Sequence, residues 1–138
     1  MPQRDRYHDV VKAALVADGW IVTHDPYYVT LGERRGFVDL GAERPIAAQL
    51  GDRRIAVEIK SFTGPSPVAD LEAALGQYLL YRSWMARVDP DRMLYLAIDS
   101  VTDQDIFADV AGQVLVNDYH LRLVVVDIPG GRIVAWRE

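Results

Sequence analysis

The chain has 138 residues, of which half are apolar and a quarter are charged, as in soluble globular proteins. It contains no cysteine, which excludes disulfides and thiolate metal sites. The formal net charge of −5 argues against a protein that coats nucleic acid non-specifically, but it allows a nuclease whose carboxylates cluster at a metal. No apolar run reaches the roughly 20 residues of a membrane span, and no signal peptide is recognisable. We therefore expect a cytoplasmic protein without a membrane contact, folded as one domain over residues 1–138.

The first half of the chain predicts one helix and four strand segments. They are, in order, a helix over Arg6–Ala17 and strands over Trp20–Thr23, Gly36–Gly41, Ile46–Leu50 and Arg53–Phe62. The two middle strand segments are either separate strands or one bent strand. Turn residues separate the elements at Asp18-Gly19, Asp25-Pro26 and Gly51-Asp52.

The second half predicts two helices and three strands. Ser66 as N-cap, Pro67 at the first helical position and Asp70 in the first turn begin a helix that ends near Val88. Thr102 caps a second helix that reaches about Asn117. The strands are Met93–Ile98, Leu121–Ile128 and Arg132–Trp136. The element order α-β-β-β-α-β-α-β-β predicts an α/β fold with a mixed sheet flanked by helices.

Two strands carry carboxylates inside apolar runs. Glu58 and Lys60 lie two residues apart in the run Ile55–Phe62, so alternation places both on one face. Asp39 interrupts the apolar strand Gly36–Leu40 in the same way.

Carboxylates on two neighbouring strands can converge on one hard cation. Mg²⁺, or Mn²⁺, prefers oxygen ligands, and the carbonyl of Ile59 could supply a third oxygen beside Asp39 and Glu58. Lys60 could then orient or help deprotonate a metal-bound water and offset the charge of a phosphate. From the local pattern alone, the solvent-exposed face of an edge strand explains Glu58 and Lys60 equally well.

The helix after these strands carries two further candidates. Gln77 and Tyr81 are four residues apart and therefore share one helical face. Gln77 borders an apolar stripe made by Val68, Leu71, Leu75 and Tyr78. A buried amide at this position would need hydrogen-bond partners, which the ends of the two acidic strands could provide. An amide at the rim of an ordinary amphipathic helix is an equally good explanation.

These motifs in this order resemble the signature of the PD-(D/E)XK nuclease superfamily in its RecB-like form. The matching pieces are Gly36-Phe37-Val38-Asp39, Glu58-Ile59-Lys60 and Gln77-x-x-x-Tyr81. Val38 stands where a proline commonly precedes the first aspartate. The resemblance implies that Asp39, Glu58, Lys60, Gln77 and Tyr81 form a catalytic set.

Longer stretches resemble the XisH family, the fdxN element excision controlling factors of cyanobacteria and similar bacteria. They are Arg4-Asp5 through His8-Asp9, Gly19-Trp20, Thr23–Pro26, Val38–Glu43, Ala56–Phe62 and Ala74–Tyr78. This resemblance implies a restriction-endonuclease-like fold, DNA as a partner, and a small partner protein, XisI, encoded nearby. It also implies a role in programmed DNA excision or in a toxin–antitoxin-like pair.

Other charged residues are weaker candidates. The first helix of this fold often lends an acid to the metal site, and Asp9 suits that role better than His8, although a solvated helix face explains both more simply. Glu43, four residues after Asp39, either joins the metal shell or ends its strand. Two basic pairs, Arg34-Arg35 and Arg53-Arg54, are candidates for phosphate contacts, and surface solubility explains them equally well.

Two functions therefore remain open. The first is a magnesium-dependent DNA endonuclease or resolvase, favoured by the joint presence of Asp39, Glu58 and Lys60. The second is a non-catalytic control factor that binds DNA or XisI on the same fold, favoured by the pI near 5.1 and the sparse basic residues. In either case we expect a complex with an XisI-like protein or a homodimer. A nucleotide-binding α/β protein is excluded, because no glycine-rich phosphate loop follows a strand.

Overall fold

The structure is a computed structural model, and it describes residues 5–45 and 52–138. Its helices are α1 (His8–Ala17), α2 (Pro67–Val88), α3 (Ser100–Thr102) and α4 (Val110–Tyr119), with a π-helical turn over Asp103–Phe107 between the last two. Its strands are β1 (Ile21–His24), β2 (Tyr27–Leu31), β3 (Arg34–Val38), β4 (Leu40–Pro45), β5 (Asp52–Ile59), β6 (Arg92–Asp99), β7 (Leu123–Asp127) and β8 (Arg132–Arg137). The predicted strand Ile46–Leu50 and the predicted turn at Gly51 lie outside the described residues.

Six strands form a mixed sheet in the order β1-β4-β5-β6-β7-β8. The pairs β5/β6 and β6/β7 are parallel, and the other neighbours are antiparallel. Helix α1 packs on one face, and α2 and α4 pack on the other. The expected α/β fold with a mixed sheet flanked by helices is confirmed. In the described part of the chain, no helix has both the length and the apolar character to cross a bilayer.

The central strands are buried on both faces, which explains their nearly continuous apolar sequences. In β6, Leu94, Leu96 and Ile98 face α2, while Tyr95 and Ala97 face α1. All five side chains are at most 2% exposed. The end of β5 therefore lies inside the protein, although Glu58 there is an acid.

The predicted strand Gly36–Gly41 is divided at Asp39. Residues before it belong to β3, which pairs with β2 in a separate two-stranded ribbon. Residues after it belong to β4, which pairs with β1 and β5 in the main sheet. The strand β2 was not predicted. Its residues, Tyr27–Leu31, form a strand by pairing with β3 across the turn at Gly32, and the sequence analysis did not identify this hairpin.

The predicted single helix from Thr102 to about Asn117 is wrong. The helical segment begins at Ser100, and the Thr102 hydroxyl donates a hydrogen bond to the Asp99 carboxylate instead of capping a helix. The chain breaks after the π-helical turn because α4 approaches it very closely. A Cβ at Gly112 would come within 2.1 Å of the Ile106 carbonyl oxygen, so this contact requires glycine. The apolar residues keep a helical spacing from the π-helical turn into α4, so the sequence does not show where the helix is interrupted.

A buried tyrosine ties α2 to the sheet. The Tyr78 hydroxyl donates to the Leu94 carbonyl at 3.1 Å and accepts the Arg122 N–H at 3.1 Å. The side chain is fully buried. This bridge fixes where α2 lies over β6, and α2 in turn carries Gln77 and Tyr81.

We predict that Tyr78→Phe lowers the free energy of unfolding by about 1–3 kcal/mol, because it keeps the ring but leaves buried backbone groups without a partner. Urea denaturation would measure the change. Tyr119→Phe is the matched control, because Tyr119 is 41% exposed, and it should be neutral. Equal stability of the two variants would contradict the bridging role.

A candidate active site built on two buried carboxylates

Two carboxylates meet where the ribbon joins the main sheet. Asp39 lies between β3 and β4, and Glu58 lies one residue before the end of β5. They are 9% and 5% exposed, respectively. Asp39 Oδ2 accepts the Ile59 backbone N–H at 2.7 Å, which fixes the carboxylate against the end of β5. The side chains of Asp39 and Glu58 are also hydrogen-bonded to each other.

Such a pair cannot carry two full charges without compensation. Burial raises the pKa of Glu58 to about 10, and the hydrogen bond and the negative charge of Asp39 add to the shift. The raised pKa of Glu58 favours its protonated form at neutral pH, with the proton in the hydrogen bond that it shares with Asp39. A divalent cation is the other species that could hold these oxygens together.

The pair opens on a cavity of about 260 Å³. The lining residues are Asp5, Phe37, Asp39, Glu58, Ile59, Lys60, Gln77 and Tyr81. The cavity thus brings together every residue of the predicted catalytic set. Glu58 and Lys60 share one side, as their spacing predicted.

Lys60 supplies the positive charge of the cavity. Its Nζ lies 3.7 Å from Asp70 Oδ1 in the first turn of α2. The side chain is 28% exposed, so it reaches both the cavity and solvent. Its backbone N–H donates to the Ala97 carbonyl, which holds the chain beside β6 just after β5 ends.

Tyr81 lies close against the ribbon. A Cβ at Gly36 would come within 2.5 Å of Tyr81 Cε1, so glycine at this position allows the ring to approach. Burial raises the pKa of Tyr81, and the charge of Glu58 raises it further. Gln77, one turn earlier, also lines the cavity, but its side chain is exposed. Of the two explanations that the sequence left open for Gln77, the exposed side chain favours the amide at the rim of the helix over the buried amide.

Asp5, which precedes α1, is the acid that the N-terminal region contributes to the cavity. Its two oxygens accept the N–H groups of Tyr7 at 2.9 Å and Ser61 at 3.1 Å. The predicted acid, Asp9, is exposed on α1 and does not line the cavity. Sequence reasoning missed Asp5 because hydrogen bonds to a distant backbone segment leave no periodic signal.

The other candidates from α1 and β4 belong to different networks. His8 is buried, and its Nε2 lies 2.7 Å from Asp25 Oδ1. Glu43 lies 3.7 Å from the guanidinium of buried Arg92, whose nearer carboxylate is Asp89 at 2.9 Å. Glu43 lies four positions after Asp39, a distance of about 13 Å along a strand. The structure does not bring Glu43 to the cavity.

The two basic pairs have different surroundings. Arg53 contacts the Tyr95 hydroxyl at 2.6 Å, and Arg54 lies 3.4 Å from Asp89, both at the end of β5 remote from Glu58. The structure does not bring them to the cavity. Arg34 and Arg35 are exposed on β3, in the strand that leads to Asp39.

A cation here would depend on few protein ligands. Across residues 5–45 and 52–138, no three His, Asp or Glu side chains cluster as a metal site. Asp39 and Glu58 with the Ile59 carbonyl give an all-oxygen set, and the cavity leaves room for several waters. This donor set fits Mg²⁺ or Mn²⁺, because Mg²⁺ commonly uses one or two carboxylates and keeps several waters.

We predict that Glu58→Gln stabilises the metal-free protein at alkaline pH. The folded pKa of about 10 exceeds the ordinary 4.5, so the folded state binds more protons between these values and stability falls as pH rises through that window. Glutamine keeps a donor to Asp39 and cannot ionise. Thermal unfolding is measured in EDTA between pH 6 and pH 9. The free energy of unfolding of Glu58→Gln should exceed that of the unmodified protein by a difference that grows by up to about 1 kcal/mol per pH unit.

The control for this prediction is Glu72→Gln, which changes an exposed residue of α2 and should run parallel to the unmodified protein. Parallel curves for Glu58→Gln as well would mean that the pair does not retain a proton.

Comparison with known proteins identifies relatives over the whole chain. The XisH protein family model matches residues 1–134. The crystal structure of an XisH family protein from Nostoc punctiforme PCC 73102 is 32% identical with a TM-score of 0.86, covering 97% of this chain and 100% of that one. A second crystal structure, described as an fdxN element excision controlling factor protein from Anabaena variabilis, is 34% identical with a TM-score of 0.88, covering 98% and 100%. No curated protein sequence matches. Family model and structures agree over nearly the full length, and the chain belongs to the XisH family.

Proposed function

We propose that this protein is a metal-dependent DNA endonuclease of the PD-(D/E)XK type that acts in DNA excision or in a toxin–antitoxin-like system. The observation that carries the proposal is the buried Asp39–Glu58 pair, which opens on a cavity that Lys60 also lines. A pair of acids confined in this way is costly for stability, which is typical of a site kept for chemistry.

The residues that line the cavity would have different roles in phosphodiester hydrolysis. Asp39, Glu58 and the carbonyl of Ile59 would hold Mg²⁺ or Mn²⁺, which supplies Lewis acidity toward the phosphate. The Ile59 N–H holds Asp39 in place through its hydrogen bond. Lys60 would neutralise charge on the scissile phosphate and orient the attacking water. Tyr81 closes one wall of the cavity, and the exposed Gln77 is free to contact the DNA backbone.

The excision role follows from the relatives. The Anabaena variabilis protein is described as an fdxN element excision controlling factor. We extend that role to this chain and propose an XisI-like small protein as its partner, with a homodimer as the alternative assembly.

The competing function is a non-catalytic control factor that binds DNA or the partner on the same fold. The argument in its favour is that a protonated Glu58, hydrogen-bonded to Asp39, satisfies the pair without a cation, as a purely structural pair would. The two functions differ in the need for a cation: the endonuclease requires one at the two carboxylates, and a purely structural pair does not.

We predict that millimolar Mg²⁺ or Mn²⁺ raises the melting temperature of the protein, and more at pH 8 than at pH 6. The ion must displace the shared proton, so binding strengthens as pH rises. Asp39→Asn and Glu58→Gln should both lose the shift. An identical shift in the unmodified protein and both variants would place the ion elsewhere and support the non-catalytic function.

We predict that Lys60→Ala keeps the metal-induced shift but lowers cleavage by roughly 100-fold or more, the usual size of a lost charge or proton-transfer contact. Cleavage of duplex, single-stranded and branched DNA would be followed with and without the XisI-like partner.

Lys12→Ala is the matched control for this experiment. It removes the chain's other lysine, which contacts Asp25 outside the cavity, and should leave cleavage unchanged. Full activity in Lys60→Ala, or no cleavage of any substrate by the unmodified protein with its partner, would contradict the catalytic proposal.

A further inference from the structure

The β2–β3 ribbon has one buried and one open face. Tyr27, Val29 and Val38 are at most 8% exposed and join the core beneath α2. Alternation sends the intervening residues to the opposite face. Register places them in cross-strand pairs: Tyr28 opposite Phe37, and Thr30 opposite Arg35.

The open face is aromatic and basic. Tyr28 is 47% exposed, and Arg35 Cζ lies 3.7 Å from the centre of its ring. This cation–π contact places the guanidinium of Arg35 over the ring of Tyr28. Phe37, the next residue toward the main sheet, also lines the Asp39–Glu58 cavity. The open face is therefore continuous with the candidate active site.

Arg34 and Arg35 lack the acidic partner that several other described arginines have. Arg44, Arg53, Arg54, Arg92, Arg132 and Arg137 each lie within 4.0 Å of a carboxylate. Among the described residues, no carboxylate comes that close to Arg34 or Arg35. Their charge is therefore available to a phosphate.

We propose that the open face of the ribbon, formed by Tyr28, Thr30, Arg35 and Phe37, binds an unpaired DNA strand and leads it into the cavity. The proposal rests on DNA being the substrate, as in the proposed function. Bases stack on the exposed aromatic rings, and Arg35 contacts a phosphate between them.

The charge of the protein favours an unpaired strand over a duplex. Duplex binders commonly neutralise about 6–10 phosphates, and the open face offers one arginine, Arg35, on a chain with a net charge of −5. Stacking of a base on an aromatic ring contributes to binding and needs no positive charge. A single strand can also bend to follow the short ribbon into a cavity of about 260 Å³.

The test separates binding from cleavage. The protein carries Glu58→Gln and is kept in EDTA, and fluorescence anisotropy measures its affinity for a fluorescein-labelled 15-residue oligothymidine and for a 15-base-pair duplex. We expect the single strand to bind at least 10-fold more tightly. The slope of log K against log salt should be shallow, about −1, because roughly one or two phosphates are contacted.

Variants on this background locate the site. Tyr28→Ala should weaken oligothymidine binding roughly 10-fold or more, and Tyr28→Phe should retain it because the ring remains. Arg35→Ala should weaken binding and also make the salt slope shallower. Tyr119→Ala and Arg132→Ala change exposed residues outside the ribbon and should match the parent. Melting temperatures check that each variant is folded.

Three results would overturn the proposal: oligothymidine affinity unchanged in Tyr28→Ala and Arg35→Ala, tighter binding of the duplex, or no binding of either probe. A change in self-association in the same variants would instead assign the face to a protein contact. If the protein cleaves DNA but the ribbon variants bind oligothymidine as the parent does, only the proposed role of the ribbon is refuted. If the ribbon binds oligothymidine but the protein cleaves no substrate, only the proposed nuclease activity is refuted.

Discussion

The buried contact between Asp39 and Glu58 is the constraint around which the rest of the structure is arranged. Two carboxylates in a sheet interior require a proton or a cation between them, since an unpaired buried charge is far more costly than any single packing contact. The chain accommodates them by dividing a strand at Asp39, so that β3 leaves the main sheet and β4 enters it. The Ile59 N–H then bonds to the Asp39 carboxylate. The pair is thus held by backbone geometry as well as by side-chain packing.

The surrounding elements fix this geometry from two sides. Tyr78 anchors α2 over β6 through two backbone hydrogen bonds, and Tyr81, one turn later, packs against Gly36 of the ribbon. On the other side, Asp5 holds the chain after β5 through the Ser61 N–H. The cavity is therefore enclosed by segments that are remote in sequence, which is why its shape depends on tertiary packing.

This dependence explains which parts of the site were predictable. Period-two alternation in a strand correctly grouped Glu58 with Lys60, and period-four spacing in a helix grouped Gln77 with Tyr81, because local geometry alone decides both. Asp5 was missed because its contacts span 56 residues. Glu43 was misplaced because alternation specifies the face of a strand but gives no limit on distance along it.

Charge links the cavity to its expected ligand. Three acids, Asp5, Asp39 and Glu58, line the cavity against the single ammonium group of Lys60. The negative potential of these acids repels a phosphate. A divalent cation that displaces the proton shared by Asp39 and Glu58 leaves two ionised carboxylates against two positive charges, so the pair with its ion becomes neutral. On the proposed function, metal and DNA must therefore bind with positive coupling, and by linkage each raises the affinity of the other equally. An acidic protein can then bind DNA at this site without a basic surface, because the cation removes the local repulsion and the ribbon provides stacking.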